Sequence, residues 1–269
     1  MKKFEGMILA CDMDGTLLDD DRQISQGNQQ ALRYFTQEGG RFSLATGRAP
    51  QAIQPYIPQM PFNAPYSLLN GSLILDSSHH VLHCAGMPED TKDLIRITLS
   101  EFSQIGCEIF VGNRVLIRQM SPETEHHIKV LDLEYSMVTQ ESLGNTAEWC
   151  KINFTGKPEQ MENVRTFLKP YTDRFCMASS MPAFCEITAS GINKGSALKQ
   201  IAADCGIAEN HIFAIGDSYN DESMLQAAHI GFAPSNSDED ILRTADVVVC
   251  SNSEDAVASA IEYMEAHYC

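Results

Sequence analysis

The chain contains no Cys-x-x-Cys pair, although nine cysteines are scattered over its 269 residues. An odd number at such spacings argues against a zinc site or a disulfide framework. It fits reduced thiols in a cytoplasmic protein, most of them serving as small buried apolar residues. Positive charge is also scarce: 19 Lys and Arg stand against 36 Asp and Glu, a formal net charge of -17. Over most of such a surface nucleic acid and anionic membrane are repelled, so neither is an expected partner, and any bound phosphate must be held by local cations and dipoles. No apolar run approaches the ~20 residues that cross a bilayer. The stretch from Met7 to Cys11, behind Lys2 and Lys3, is too short for a signal-peptide core. With 43% hydrophobic residues the length suits one large or two modest globular domains, in a monomer or small homo-oligomer.

What the sequence does contain is an apolar run, Ile8 to Cys11, that stops at Asp12-Met13-Asp14-Gly15-Thr16. This reads as a buried strand of a parallel sheet ending at a charged site, because such sheets bind ligands beyond the carboxyl ends of their strands. If the extended conformation continues, Asp12 and Asp14 point the same way and crowd each other unless a cation or a shared proton intervenes. A polar strand end followed by a glycine turn would look the same. The decision falls to the other strand ends: Thr46-Gly47-Arg48 after a strand over residues 41–45, Asn70-Gly71 after 66–69, and Gly216-Asp217-Ser218-Tyr219-Asn220-Asp221 after 212–215.

Between these lie a helix N-capped by Ser25, a loop with five prolines from Pro50 to Pro65, and a hairpin of 73–75 with 81–83. The adjacent His79 and His80 fall in its solvated turn. From about Cys84 the strand-helix alternation gives way to an α+β block: a helix within 88–105, a hairpin turning at Gly112-Asn113, a helix N-capped by Ser121, a strand over 149–154, a helix over 158–168, and strands over 174–178 and 184–187. One of His126 and His127 is expected to pack and the other to face water. Alternation returns at Gly191, where Lys194 opens a helix. A cation at that end of a helix dipole calls for an anion to meet it. Two more strand-helix units follow, with helices N-capped by Ser237 and Ser253.

Strand ends bearing Asp12 and Asp14, Thr46, Asn70 and Asp217 converge if the strands are parallel neighbours. Carboxylates at that point suit Mg²⁺, which keeps several waters and takes phosphate oxygen as a ligand. Lys194, Thr46 and the Gly47 backbone would hold the remaining phosphoryl oxygens, one carboxylate can attack phosphorus, and another can move the protons.

The four motifs Asp12-Met-Asp-Gly-Thr16, Thr46-Gly47-Arg48, Lys194-Gly195 and Gly216-Asp-Ser-Tyr-Asn-Asp221 resemble, in order and spacing, those of the haloacid dehalogenase superfamily, and in particular its Cof-type sugar-phosphate phosphatases. The resemblance spans the chain. It implies an α/β fold: a Rossmann-like parallel-sheet core over residues 1–83 and 189–269, with an inserted α+β cap over 84–188. It further implies Asp12 as nucleophile and metal ligand, and Asp14 as general acid/base that offers its backbone carbonyl to Mg²⁺. Thr46, Gly47, Lys194 and Asn220 would bind the substrate phosphate, Asp217 the metal, and Asp221 would support them. The implied activity is Mg²⁺-dependent hydrolysis of small phosphomonoesters, sugar phosphates foremost, through an aspartyl-phosphate. A phosphosugar mutase and a non-enzymatic Mg²⁺-dependent phosphate sensor remain as alternatives. Phe232-Ala233-Pro234-Ser235-Asn236 departs from the Met-Gly-Asn common in relatives, so no role is carried over there.

Overall fold

The computed structural model describes residues 2–269. The chain divides into two compact units. The first comprises residues up to 46, 55–82 and 193–269; the second comprises 47–54 and 83–192. In chain order, β1 (Ile8–Cys11), α1 (Gln26–Gln37) and β2 (Arg41–Leu44) are followed by the short α2 (Pro50–Ile53), then β3 (Tyr66–Leu68), β4 (Leu73–Leu75) and β5 (Val81–Cys84). The second unit continues with α3 (Thr91–Glu101), β6 (Gly106–Val111), β7 (Arg114–Gln119), α4 (Pro122–Leu131), β8 (Tyr135–Met137), β9 (Lys151–Thr155), α5 (Pro158–Leu168), β10 (Phe175–Ala178) and β11 (Phe184–Ala189). The chain then returns to the first unit as α6 (Lys194–Asp204), β12 (Ile212–Ile215), α7 (Glu222–Ala227), β13 (Ile230–Pro234), α8 (Glu239–Thr244), β14 (Val247–Val249) and α9 (Ala256–Tyr268).

The first unit is built on a parallel sheet in the order β14-β13-β12-β1-β2, and a parallel bridge from Ala45 to Ser67 sets β3 beyond β2. From β1 the chain winds outward through β2 to β3, then comes back to β12 on the other side of β1. The direction of winding therefore reverses between β1 and β12, the point in such sheets beyond whose strand ends ligands bind. Cys11 lies level with both Leu44 and Ile215, so Asp12, Ala45 and Gly216 leave the sheet side by side. Both faces are covered, which is why these strands read as continuous apolar runs. Ile8, Ala10, Ile212 and Ala214 pack with Leu198 and Ile201 of α6. Leu9, Phe42, Phe213 and Phe232 are fully buried too, and α9 covers Phe213 with Tyr268 and Phe232 with Tyr263, at ring separations of 5.0 and 5.5 Å.

The second unit carries a sheet in the order β10-β11-β9-β6-β7-β8, antiparallel except for β7 with β8. Alternate residues Cys107, Ile109, Ile152, Phe154, Cys185 and Ile187 pack with Leu94, Ile95, Met161 and Val164 of α3 and α5. The intervening Glu108, Lys151, Asn153 and Glu186 are buried as well, and Glu108, Asn153 and Glu186 stand in register across β6, β9 and β11. A two-residue period places them on the opposite face. Among the described residues, no helix is long and apolar enough to cross a membrane.

Ser25 and Ser121 cap their helices as expected, each accepting the backbone N–H three residues on at 3.1 Å. The caps expected at Ser237 and Ser253 are different. Ser237 donates to the Pro234 carbonyl at 2.6 Å, leaving the N-cap position to Asp238; before α9 a turn capped by Ser251 leads to Asp255 in a left-handed conformation. Short polar side chains compete for neighbouring backbone groups, and composition alone does not choose among them. The exposed three-residue β8 has no counterpart in the sequence reading.

Candidate active site

Asp12 follows β1 directly, its N–H donating to the Ile215 carbonyl at 2.9 Å, and the residue is buried, 5% exposed. The extended run then breaks. Residues Met13–Leu17 form an irregular turn closed by Leu18 N–H on the Met13 carbonyl at 2.8 Å, with Gly15 at φ 74°. A β-carbon at Gly15 would collide with the Asp217 carboxylate, so this position needs glycine for both its conformation and its space. The strand ends before the second acid, leaving Asp12 buried and Asp14 exposed, and the Asp14 charge still adds to the repulsion on Asp12 and Asp217. The third carboxylate that joins Asp12 and Asp217 is Asp221; oxygens of these three lie within 4.8 Å of one another.

Lys194 comes to this cluster from the first residue of α6, whose start is fixed by reciprocal hydrogen bonds of Asn193 and Ser196 at 2.8 and 3.0 Å. Its ammonium, fully buried, donates to Asp12 Oδ1 at 2.5 Å and Asp221 Oδ1 at 2.6 Å. Those are the anions that the position of Lys194 called for. Burial works against the charged ammonium, but the two carboxylates outweigh it and raise its pKa. Burial, with Asp221 and Asp217 adding repulsion against the pull of Lys194, holds Asp12 well above the usual carboxylate range. Asp217 is pushed up to about 7 by burial and Asp221, even though Thr16 donates to it at 2.8 Å. Asp221 accepts the N–H groups of Asp217 and Ser218 at 3.2 and 3.1 Å, which fixes the loop after β12.

The neighbouring strand ends are laced together. Thr46, buried after β2, donates its N–H to Ser67 and accepts from Asn70 N–H, both at 3.1 Å. Asn70, left-handed at φ 57°, accepts from Asn220 Nδ2 at 3.2 Å. Gly47 begins the segment grouped with the second unit, and its carbonyl takes the Lys151 ammonium at 2.7 Å. Asn236, to which the sequence reading gave no role, donates to the Gly15 carbonyl at 2.9 Å and accepts Asn252 N–H at 2.8 Å. Asp238 N–H donates to the Asp217 carbonyl at 3.0 Å. The signal for this loop was available in the polar run that follows β13, which repeats the pattern of the other strand ends.

A cluster of hard oxygen donors held close against its own repulsion fits Mg²⁺, and a divalent cation would relieve the crowding that raises Asp12 and Asp217. Asp12 and Asp217 would hold it, with Asp221 behind them.

The pattern of the haloacid dehalogenase-like hydrolases matches residues 9–261. Phosphatase YwpJ of Bacillus subtilis is 26% identical, with 96% of this chain and 99% of that protein covered. The 5-amino-6-(5-phospho-D-ribitylamino)uracil phosphatase YcsE of the same organism is 26% identical over 95% of this chain and 94% of its own. Among solved structures, a haloacid dehalogenase-like hydrolase from B. subtilis superposes with a TM-score of 0.85 at 26% identity, covering 100% of both chains. With four motifs gathered at one reversal point of a parallel sheet, and the family pattern running through nearly the whole sequence, this chain is an enzyme belonging to the haloacid dehalogenase-like hydrolase family.

Proposed function

We propose that this hydrolase is a Mg²⁺-dependent phosphatase that cleaves small phosphomonoesters of sugars or sugar-like polyols through an aspartyl-phosphate on Asp12. The observation that carries the reading is the crowded cluster at the strand ends: three buried or half-buried carboxylates lie together, with the Lys194 ammonium as the cation paired to two of them among the described residues. A dianionic phosphate on its own would be repelled there. Bound Mg²⁺ supplies the charge that lets the phosphoryl group approach.

Lys194 orients Asp12 and meets phosphoryl oxygens. Thr46, the Gly47 backbone and Asn220 offer donors to the remaining ones. Asp12 attacks phosphorus, and the bond to the ester oxygen breaks. Asp14, exposed two residues on, gives its proton to the departing alkoxide and later takes one from the water that hydrolyses the acyl phosphate. Its backbone carbonyl would be a further ligand to the metal. Leaving-group choice is assigned to the second unit, residues 83–192 foremost. Phosphorylated polyols are favoured because YcsE, by its name, acts on a phosphoribityl compound.

The test is a phosphate-release screen over sugar phosphates, nucleotides and cofactor phosphates, run with Mg²⁺ and with EDTA. Release that depends on Mg²⁺ and needs no sugar bisphosphate is expected. Full turnover in exhaustively chelated enzyme would refute the metal assignment, and acyl phosphate trapped in Asp12→Asn would refute the nucleophile.

A further inference from the structure

Two cysteines that the chemistry above leaves unused meet in the second unit. Cys84 and Cys150, 66 residues apart in sequence, have sulfurs 3.1 Å apart that share a hydrogen bond. Cys84 is exposed at the end of β5, and Cys150 is buried directly before β9. Their approach is not the chance meeting of two flexible side chains, because the backbones beside them are stitched together. Met87 N–H donates to the Thr146 carbonyl at 3.0 Å, and Gly86 lies so close to the Ala147 carbonyl that no β-carbon fits. Cys150 N–H is held by the Phe110 carbonyl at 2.8 Å. About 1 Å of further approach separates this contact from a covalent bond.

We propose that Cys84 and Cys150 form a reversible dithiol–disulfide site whose closure pins the segment by which the chain enters the second unit and slows the hydrolase. The thiol of Cys150, donating to Cys84, draws Cys84 down to about 7 against the opposing effects of burial and Glu148, so the more accessible sulfur is also the more nucleophilic at neutral pH. The same hydrogen bond raises Cys150. The oxidant is hydrogen peroxide or a small disulfide such as oxidised glutathione. With peroxide, the Cys84 thiolate takes one oxygen to become a sulfenic acid as the O–O bond breaks and hydroxide leaves. Cys150 sulfur then attacks that sulfur, water leaves with the oxygen, and the two thiols have lost two electrons to the peroxide. A dithiol reverses the bond by exchange.

The consequence for turnover rests on the phosphatase reading. Residue 83 is where the chain passes from the first unit into the second, and β5 spans that boundary. Segments at element ends absorb the torsion changes on which movements between bodies depend. A bond from Cys84 to the root of β9 removes that freedom at this connection.

The experiment uses the full reduced chain, exposed to stoichiometric hydrogen peroxide and, separately, to oxidised glutathione. It is followed by alkylation and peptide mapping, with p-nitrophenyl phosphate turnover measured in parallel. The expected result is a Cys84–Cys150 linked peptide and a several-fold fall in turnover, both reversed by dithiothreitol. Cys84→Ser, shown by its melt to be folded, should turn over normally and ignore the oxidant. Recovery of Cys84 as a glutathione adduct or a sulfinic acid, with Cys150 still open to alkylation, overturns the site. A linked peptide with unchanged turnover overturns the regulation. If the reduced protein cleaves no phosphomonoester, the phosphatase reading fails, and the peptide map still decides whether the disulfide forms.

Discussion

Each unit buries carboxylates beside a lysine, and they do so in opposite ways. In the second unit the charged groups sit on a strand face and each carboxylate has its own hydrogen-bond partners: Lys151 lies 3.1 Å from Glu186, while Glu108 accepts from Asn153 at 2.9 Å and meets the His127 imidazole at 2.8 Å. Asn153 keeps one buried oxygen without a partner. In the first unit the acids sit beyond the strand ends, where Lys194 faces both Asp12 and Asp221 while Asp217 adds to the repulsion on Asp12. Buried charges that are separately hydrogen-bonded hold a structure in one arrangement; carboxylates crowded together are costly unless something else binds. The contrast locates reaction chemistry in the first unit and architecture in this row of the second.

Replacing one acid in each cluster gives the widest separation. Asp12→Asn should lower p-nitrophenyl phosphate turnover by about 10⁴-fold or more, since a carboxamide cannot serve as the nucleophile. Glu108→Gln keeps the shape and should cost about 1–3 kcal/mol of stability through its changed hydrogen bonds. Turnover per folded molecule should stay within a few-fold. A collapse of p-nitrophenyl phosphate cleavage in folded Glu108→Gln would break the division between the units.

The lysines come next. Lys194→Met strands two buried carboxylates and should destabilise by about 3–5 kcal/mol, lowering the melting temperature by about 2–4 °C for each kcal/mol in a chain of this size. Lys151→Met strands Glu186 alone, which keeps the Ser180 hydroxyl at 3.2 Å, so its fall should be smaller. Thermal melts that rank the two variants the other way would mean that the second cluster carries the greater unmet charge.

The first cluster should also give the protein a particular pH dependence. Asp217, at about 7, and Asp12 both titrate above their ordinary range in the folded chain. A group raised in this way stabilises fully below its unfolded pKa of about 4, and that contribution is lost as pH rises through the folded value. In EDTA the melting temperature should therefore decline between about pH 5 and 8 from this source, and Mg²⁺ should restore more at the upper end. Cys84 is lowered into the same window and acts with the opposite sign, so the measurement belongs in Cys84→Ser. A melting temperature that rises with pH in EDTA, with no larger Mg²⁺ effect at pH 8, would show that the carboxylates are not crowded.

The same difference explains what the sequence made legible. Asp12 and Asp217 stand where apolar strands give way to charge, those strands are continuous runs because both faces are covered, and Lys194 shows as a cation opening a helix; all three signals survive in one dimension. The packed and solvated members of the His126-His127 pair could be anticipated from helical spacing, and His127 is the one turned to Glu108. That Asp221 rather than Asp14 completes the buried carboxylate cluster could not, because it depends on the irregular turn over Met13–Leu17 and on how Asp221 folds back onto the loop after β12. Nor could the grouping of residues 47–54 with the second unit, where the Gln51 amide donates to the Asn113 and Glu134 carbonyls at 2.7 and 3.3 Å. Those contacts join residues far apart in sequence and leave no periodic trace. The exposed β8 has too few residues to show an alternation.

The smallest effect tests how finely the first cluster is supported. Asn236 bridges the Gly15 carbonyl and Asn252 N–H, and Gly15 lies against the Asp217 carboxylate. Asn236→Ala removes both hydrogen bonds from an exposed side chain, so it should cost about 1 kcal/mol of stability. If the bridge holds the turn that separates Asp12 from Asp14, its loss lets that turn wander without touching Lys194 or Asp221. Proton transfer by Asp14 should then suffer more than phosphorylation of Asp12. The rate on a substrate with a poor leaving group, such as a hexose phosphate, should fall a few-fold further than the rate on p-nitrophenyl phosphate, whose leaving group needs little protonation. Equal losses on both substrates would mean that Asn236 supports the whole cluster, and an unchanged enzyme would mean that the turn is held by Gly15 and Leu18 alone.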